Sequence, residues 1–412
     1  MRISAMGLRA ASGVLLAMAC VPASAQKAAP LELPEALSRA GALAPALEEA
    51  RADVDAAAGA AVQAGLAPNP QLSAELENIA GSGAFSGLNA VDATLAVSQR
   101  LELGGKRSAR RRAAERELNA VQLEAAMTRA DLALDVRTLF IDAAAATARV
   151  ELAQSVVRRA EELARIAGAL VDAGREPPLR SLRAEAALGE AEAALAEARA
   201  AAVAARFALA SLWGETGAPP NLSVEIPTLN PPVNIDASAA LALQTASAQR
   251  AAAEAVVTRE RAYAVPDLTV SAGVRRLEGA DAEAAVISAA IDLPFRNRNQ
   301  GNILSAQARV RGAAAREQRV RAEFFRDTAS ARANLRAAES RVETLAERSV
   351  PQAEDALELA RIGYRNGRFT LIDVLDAAAT RDAVRRSLIA ARAEREQAAA
   401  RLIRLAATEE TY

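Results

Sequence analysis

A chain that carries one structural unit twice has few folds open to it, and this chain contains a duplicated stretch. Residues 171–184 (VDAGREPPLRSLRA) and 364–377 (YRNGRFTLIDVLDA) superpose when Gly174 is laid on Gly367. Arg175 then falls on Arg368, Leu179 on Ile372, Leu182 on Leu375 and Ala184 on Ala377. Each copy lies between two long segments of helical period rich in alanine and arginine. A glycine at the break, tolerant of positive φ, followed by a fresh helix predicts a helix–turn–helix tip in each half.

The segments around the tips repeat as well. Residues 33–66 read as one helix opened by Pro34 and stopped by Ala67-Pro68-Asn69-Pro70. The period then drops to two: over 71–79, Leu72, Ala74 and Leu76 alternate with Ser73, Glu75 and Glu77. After a Gly/Ser loop, Val91, Ala93, Leu95 and Val97 alternate with Asp92, Thr94 and Ser98, giving a second strand over 91–101. In the other half, Val265-Pro266-Asp267 answers Asn69-Pro70-Gln71, and strands are predicted over 267–275 and 284–293. Such hairpins match the length and alternation of strands that cross an outer membrane, apolar toward lipid and polar toward a lumen. Four strands cannot close a barrel and an open edge is not stable in lipid, so symmetric assembly of several copies is expected.

Each hairpin is followed by a long helical segment. Residues 107–171 contain no proline, and at 1.5 Å per residue they span roughly 100 Å. Residues 302–364 match them, with Pro351 expected to kink or break the helix. The return helices keep a 3–4 spacing. In the first it runs through Leu188, Ala191, Leu195, Ala198, Ala202, Ala205, Leu209 and Leu212; in the second it runs through Val384, Leu388, Ala391, Ala398, Leu402 and Leu405, with Arg395 intruding. The chain divides into a first repeat (26–213), a Pro-rich connector (214–236) in which 223–226 could form a short strand, and a second repeat (237–412) whose opening helix runs about 237–264. The fold class is mainly α with a small β part.

Composition explains how such helices pack. The 412 residues are 51% hydrophobic, mostly through alanine, and only 3% aromatic. That suits close approach through small side chains rather than a broad interior. Lysine and arginine number 50 against 51 carboxylates, which removes the net field expected of a nucleic-acid binder. Histidine is absent and Cys20 is the only cysteine, which excludes His or Cys catalysis and soft-metal ligation in the mature chain. Residues 1–25 read as a secretory signal peptide: Arg2 and Arg9, an apolar run over 11–20, and a small-residue site at Ala23-Ser24-Ala25. The rival is a lipoprotein acylated at Cys20, against which Ala17-Met18-Ala19 lacks the usual leucine. An exported chain with no long apolar helix is left with the periplasm, the exterior or a membrane β-barrel.

With this order in view, the chain resembles the TolC-type outer-membrane channels of tripartite efflux and secretion systems. The local match is Ile372-Asp373-Val374-Leu375-Asp376-Ala377, similar to that family's periplasmic tip. The strand-to-helix junctions, residues 101–107 (LELGGKR) and 293–301 (LPFRNRNQG), look like those of its CzcC-like heavy-metal branch. The resemblance implies a homotrimer whose twelve-stranded barrel sits in outer-membrane lipid and continues as a periplasmic helical tunnel. It implies as partners a periplasmic adaptor (membrane fusion) protein and an inner-membrane RND-type pump. It also implies that Asp373 and Asp376 form acidic rings narrowing the closed entrance, with Tyr364 in the closing network. The sequence departs from the family in one place: the arginine usual two residues after the tip glycine is Phe369, with Arg368 one place early.

Two aspartates three apart share a helix face. In a monomer they are solvated charges at a helix N-terminus; around a threefold axis they become a ring that attracts cations. Asp172 lacks the motif and reads as simply exposed. Gly174 and Gly367 serve the turns, and with Arg175, Arg368 and Leu371 they are the candidate contacts for an adaptor's helical hairpin. The run 107–112 is expected to make ordinary helix-surface pairs with Glu115 and Glu117, and Trp213 to cap a helix by packing. No nucleophile elbow, P-loop or metal-ligand cluster is present in the sequence, so no enzyme, cofactor or metal site is expected. The expected function is a passive exit duct, with heavy-metal cations as the favoured cargo. A drug or protein-secretion channel of the same fold is the nearest alternative. A structural coiled coil or an adaptor is the alternative of another class; an adaptor should carry one helical hairpin between β-rich domains, not two hairpins and four alternating strands.

Overall fold

The computed structural model describes residues 30–217, 221–223 and 225–409. The expected signal peptide and Cys20 lie outside the described residues. Helix α1 (Leu33–Leu43) is followed by α2 (Pro45–Ala64). One helix over 33–66 was expected. Pro45 forces the break: its ring disfavours the helical conformation in the preceding residue, and Ala44 is extended at φ −65° and ψ 124°.

Strands β1 (Gln71–Glu77) and β2 (Asp92–Leu101) come next, then α3 (Lys106–Asp172), an unbroken helix of 67 residues. Helix α4 (Leu179–Ser211) returns along α3. The second half supplies α5 (Leu241–Tyr263), β3 (Leu268–Leu277), β4 (Ala282–Ile291), α6 (Gln300–Thr344), α7 (Val350–Arg365) and α8 (Leu371–Leu405). Helix α5 starts later than the expected 237, because the Asp236 carboxylate accepts from the Ser238 N–H (2.8 Å) and hydroxyl (2.7 Å) and holds a turn there.

Pro351 does not stop the helical path. It lacks an N–H and its ring crowds the carbonyl four residues back, so the helix widens just upstream into a π segment, Leu345–Ser349. The Val350 N–H reaches the Leu345 carbonyl, five residues back, and α7 carries Pro351 in its first turn.

The four strands form one antiparallel sheet in the order β1-β2-β3-β4, with β1 and β4 as open edges. Its register lines up one apolar face: Leu72 opposite Val97, Val97 opposite Ala272, Ala272 opposite Ile287. The other face of β1–β3 is polar; there Arg275 bridges to Glu77 (3.0 Å) and donates to the Thr94 hydroxyl (2.9 Å). All four strands differ from expectation by one or two residues at an end, β3 running on to Leu277 and β4 starting at Ala282. Strand β1 stops at Glu77, where Asn78 turns to φ +59°. Strand β4 stops at Ile291 rather than 293, because Ile291 is opposite Leu268 and β3 offers nothing beyond it.

Alanine lets the helices approach closely: Ala130, Ala143, Ala144, Ala391, Ala399 and Ala400 are wholly buried. The expected seam of α4 is its buried side. Helix α8 buries more than its seam, including Ala393 and Ala399, because it packs on α3 and α6 at once. Arg395 does not disturb that packing. It donates to the Leu229 carbonyl (3.0 Å) and to Glu396 (2.7 Å), while Glu396 accepts the Leu229 N–H (2.7 Å), so the pair fastens the connector to the wall.

The connector forms no strand at residues 225–226, and residue 224 lies outside the described set. Its bridge is one step earlier, Leu222 beside Leu31, over a cluster with Phe140, Leu209 and Trp213. The arginines after β2 do more than pair along a helix. Arg110 donates to the carbonyls of Ala64 (2.8 Å) and Leu66 (2.8 Å) and to Glu102, and Arg107 reaches Gly65, so together they cap the C-terminus of α2. Arg111 with Glu115 (3.3 Å) is the surface pair that was expected. Among the described residues no helix is long and apolar enough to cross a membrane.

Candidate functional site

The duplicated tips close in the same way. At the end of α3, Gly174 (φ +68°) donates its N–H to Val171 (2.9 Å) and Arg175 donates to Leu170 (2.9 Å). At the end of α7, Gly367 (φ +71°) donates to Tyr364 (3.0 Å) and Arg368 to Gly363 (2.8 Å). Both are Schellman turns, in which a left-handed residue lets two N–H groups satisfy the last helical carbonyls. Gly174, Arg175, Gly367 and Arg368 are all exposed, with open space around both glycines, and Asp172 is exposed as expected.

The tips differ in how the next helix begins. Helix α8 opens with a capping box: the Asp373 carboxylate accepts the Thr370 N–H (2.7 Å) and hydroxyl (2.8 Å), and the Asp373 N–H reaches the Thr370 hydroxyl (3.4 Å). Those bonds from Thr370, backbone first, hold the Asp373 carboxyl below its ordinary range, and the positive charge of Arg180 adds to the effect. Asp373 is therefore a helix cap as well as an exposed charge. Asp376 is one turn further on and exposed, on the face opposite Leu371 and Val374, which are buried.

Leu371 cannot serve as a surface contact. It is 2% exposed, packed against Ala167, Ala184, Tyr364 and Leu375. The first apolar residue after a cap faces the core when the helix docks on a neighbour, and here that neighbour is the α3–α4 hairpin.

Tyr364 sits between the two hairpins. Its ring packs against the clusters that hold Leu371 and Val374, and its hydroxyl is buried without a hydrogen bond to any of the described residues. Burial pushes its pKa up and Glu176 adds to this, while Arg180 and Arg175 pull it down. The structure thus brings Tyr364 to Glu176, Arg180 and Arg175 of the first tip. Arg180 pairs with Glu176 (3.3 Å) and also acts on Asp373. The sequence reading missed Arg180 and Glu176, because in the superposed second tip the residue matching Glu176 is Phe369.

Three turns above the second tip lies a feature with no local signal at all. Asp382, 5% exposed, pairs with Arg159 of α3 and with Arg381 (2.9 Å), and Glu354 of α7 pairs with Arg385. Further along the same α3–α8 seam, Gln397 donates to Asp142 (2.7 Å) and Arg404 pairs with Asp131. The bridges to Arg159, Asp142 and Asp131 fasten the second hairpin to the first, while Glu354 with Arg385 ties α7 to α8. Among the described residues no cluster of His, Cys, Asp and Glu could hold a metal ion.

Comparison with known proteins fits this geometry. Residues 36–215 and 237–408 match the family model described as outer membrane efflux protein. The chain is 34% identical over 364 residues to the cobalt-zinc-cadmium resistance protein CzcC of Cupriavidus metallidurans, covering 86% of this chain and 85% of that protein. It is 38% identical over 296 residues to the nickel and cobalt resistance protein CnrC of the same organism, covering 70% of each. Among solved structures, CusC superposes with a TM-score of 0.78 at 19% identity, over 91% of this chain and 92% of that one.

Proposed function

Because this chain belongs to the outer membrane efflux protein family, and so is an outer-membrane exit duct with a periplasmic helical extension, we propose that it passively conducts heavy-metal cations delivered by other proteins. Three copies would close the open sheet into a barrel and the helical hairpins into a tunnel. A periplasmic adaptor would meet the exposed tips at Gly174, Arg175, Gly367 and Arg368, and an inner-membrane RND-type pump would supply the energy. No catalytic step and no cofactor is assigned to the chain. The metal assignment is supported by the names of CzcC and CnrC, with which the chain aligns over most of its length.

One observation carries the gating part of the reading. Asp373 and Asp376 are both exposed at the tip, Asp376 on the helix face opposite buried Leu371 and Val374, where a threefold axis would gather them into rings. Such rings favour cations and hold them weakly enough for release, which conduction requires. Tyr364, between the hairpins, would tie the closed arrangement to the first tip.

Growth of a deletion strain and its complement on zinc, cobalt, cadmium, nickel, copper and silver, beside a panel of antibiotics and detergents, tests the cargo. Sensitivity confined to metals is the expected result. Sensitivity to drugs alone would overturn the metal assignment and leave the duct. Unchanged single-channel conductance and cation block in the Asp373→Asn, Asp376→Asn double variant would remove the ring.

A further inference from the structure

The two repeats correspond residue for residue through their second strands, and this sets the seam between copies of the chain. Pro70-Gln71-Leu72 answers Pro266-Asp267-Leu268, and since Val97 is opposite Leu72 and Ile291 opposite Leu268, Val97 matches Ile291. At the far side of the junction, α3 starts at Lys106 after left-handed Gly105, and α6 starts at Gln300 after left-handed Asn299. The same number of residues separates Val97 from Gly105 as separates Ile291 from Asn299. No insertion intervenes, so residues 98–101 of β2 correspond to residues 292–295.

Those corresponding residues are not in the same state. Residues 99–101 extend past the end of β1 and are held as strand by β3 alone, Gln99 opposite Val270 and Leu101 opposite Leu268. Among the described residues, 292–295 have no strand beside them. There the Phe295 N–H folds back onto the Leu293 carbonyl (2.9 Å), and the side chains of Leu293 and Phe295 are 63% and 77% exposed. Both continue the apolar face of Ile291, by alternation. The partner missing from this chain is the counterpart of β3, which is β1; its free edge exposes Leu72 (71%) and Leu76 on the same apolar face.

We propose that β4 continues as strand to Phe295 against β1 of a second copy, in the register of the internal β2–β3 pair. This rests on the trimeric reading above and adds to it a register. Val97 opposite Ala272 becomes Ile291 opposite the partner subunit's Leu76; Gln99 opposite Val270 becomes Leu293 opposite the partner's Ala74; and Leu101 opposite Leu268 becomes Phe295 opposite the partner's Leu72. The seam is thereby apolar on the lipid side and satisfies both open edges. Pro294, which has no N–H, is tolerated in such an edge strand.

Disulfide trapping in outer membranes tests the register, since Cys20 is the only other cysteine in the chain. Directly opposed Cβ atoms stand about 5 Å apart, near disulfide range, and a slip of two residues takes them out of it. Full-length chain carrying Ala74→Cys and Leu293→Cys is expected to lose most of its monomer band to dimer and trimer on non-reducing gels after mild oxidation. Neither single variant should do so. The slipped pairs, Leu72→Cys with Leu293→Cys and Leu76→Cys with Leu293→Cys, should link several-fold less. Stronger linking by a slipped pair, or none by any pair in a protein that light scattering shows to be trimeric, would overturn the register and leave the trimer standing. A monomeric mass in detergent and in membranes would overturn the trimeric reading itself.

Discussion

The ring of Phe369 lies directly on the Cα of Gly363: a Cβ built at 363 would stand 2.1 Å from Phe369 Cδ2. The same glycine accepts the Arg368 N–H through its carbonyl, so the second tip is closed by one turn whose two ends touch. Gly363→Ala is expected to push the ring off and loosen the tip by about 1–3 kcal/mol, the usual cost of overpacking. Combining it with Phe369→Ala should abolish most of that cost. Chemical denaturation of the four proteins of this double-mutant cycle, with limited proteolysis at residues 366–370, measures the coupling.

Removing the cap should act locally. Thr370→Ala deletes the hydroxyl that faces both the N–H and the carboxylate of Asp373, and is expected to cost about 1 kcal/mol in the first turn of α8. The pH dependence has a definite sign. The folded-state pKa of Asp373 is lowered, so its contribution is complete above the ordinary carboxylate pKa and is lost as pH falls through the lowered folded value. Protection factors for hydrogen exchange at residues 371–376 should therefore hold at pH 5 and fall only in stronger acid, and Thr370→Ala should flatten that dependence.

Tyr364→Phe separates packing from closure. The ring is used inside the protomer but the buried hydroxyl makes no hydrogen bond among the described residues, so its removal is expected to leave stability unchanged or raise it by up to about 1 kcal/mol. If the hydroxyl helps hold the closed assembly, conductance of the resting channel rises in the same variant. Thermal melts and bilayer recordings on one preparation read the two effects apart.

The Arg159–Asp382 pair should be the costliest of the α3–α8 bridges to break. Asp382→Ala takes the shared carboxylate from both Arg159 and Arg381 and is expected to lose roughly 3 kcal/mol, whereas Arg159→Ala, which leaves Arg381 on Asp382, should lose less. Replacing both, as in Arg159→Leu with Asp382→Leu, should recover much of this; Arg381 keeps Glu354 as a neighbour. Urea titration of single and double variants decides, and equal losses in both would show that the pair is not the seam's anchor.

What the sequence alone determined is what depends on neighbours in sequence. The change of period from 3.6 to two located the four strands near Leu72, Leu95, Val270 and Ile287. The repeated glycines located both tips, and the 3–4 spacing of alanines and leucines in α4 located its buried side. Each of these is written in a few consecutive residues, because helix, strand and turn are set by local dihedral preference and by which face must leave water. Tertiary structure decided what depends on a distant partner. Leu371 and Asp373 are two residues apart, yet one is core and the other a cap, because the α3–α4 hairpin packs on one side of α8 only. Arg110 turned from surface pairing to capping because α2 ends beside it. Strand β4 ended at Ile291 because β3 ended, and Asp382 is buried only because Arg159, more than two hundred residues earlier, lies across the seam. No pattern within a short window encodes such pairings; they follow from how the two repeats dock.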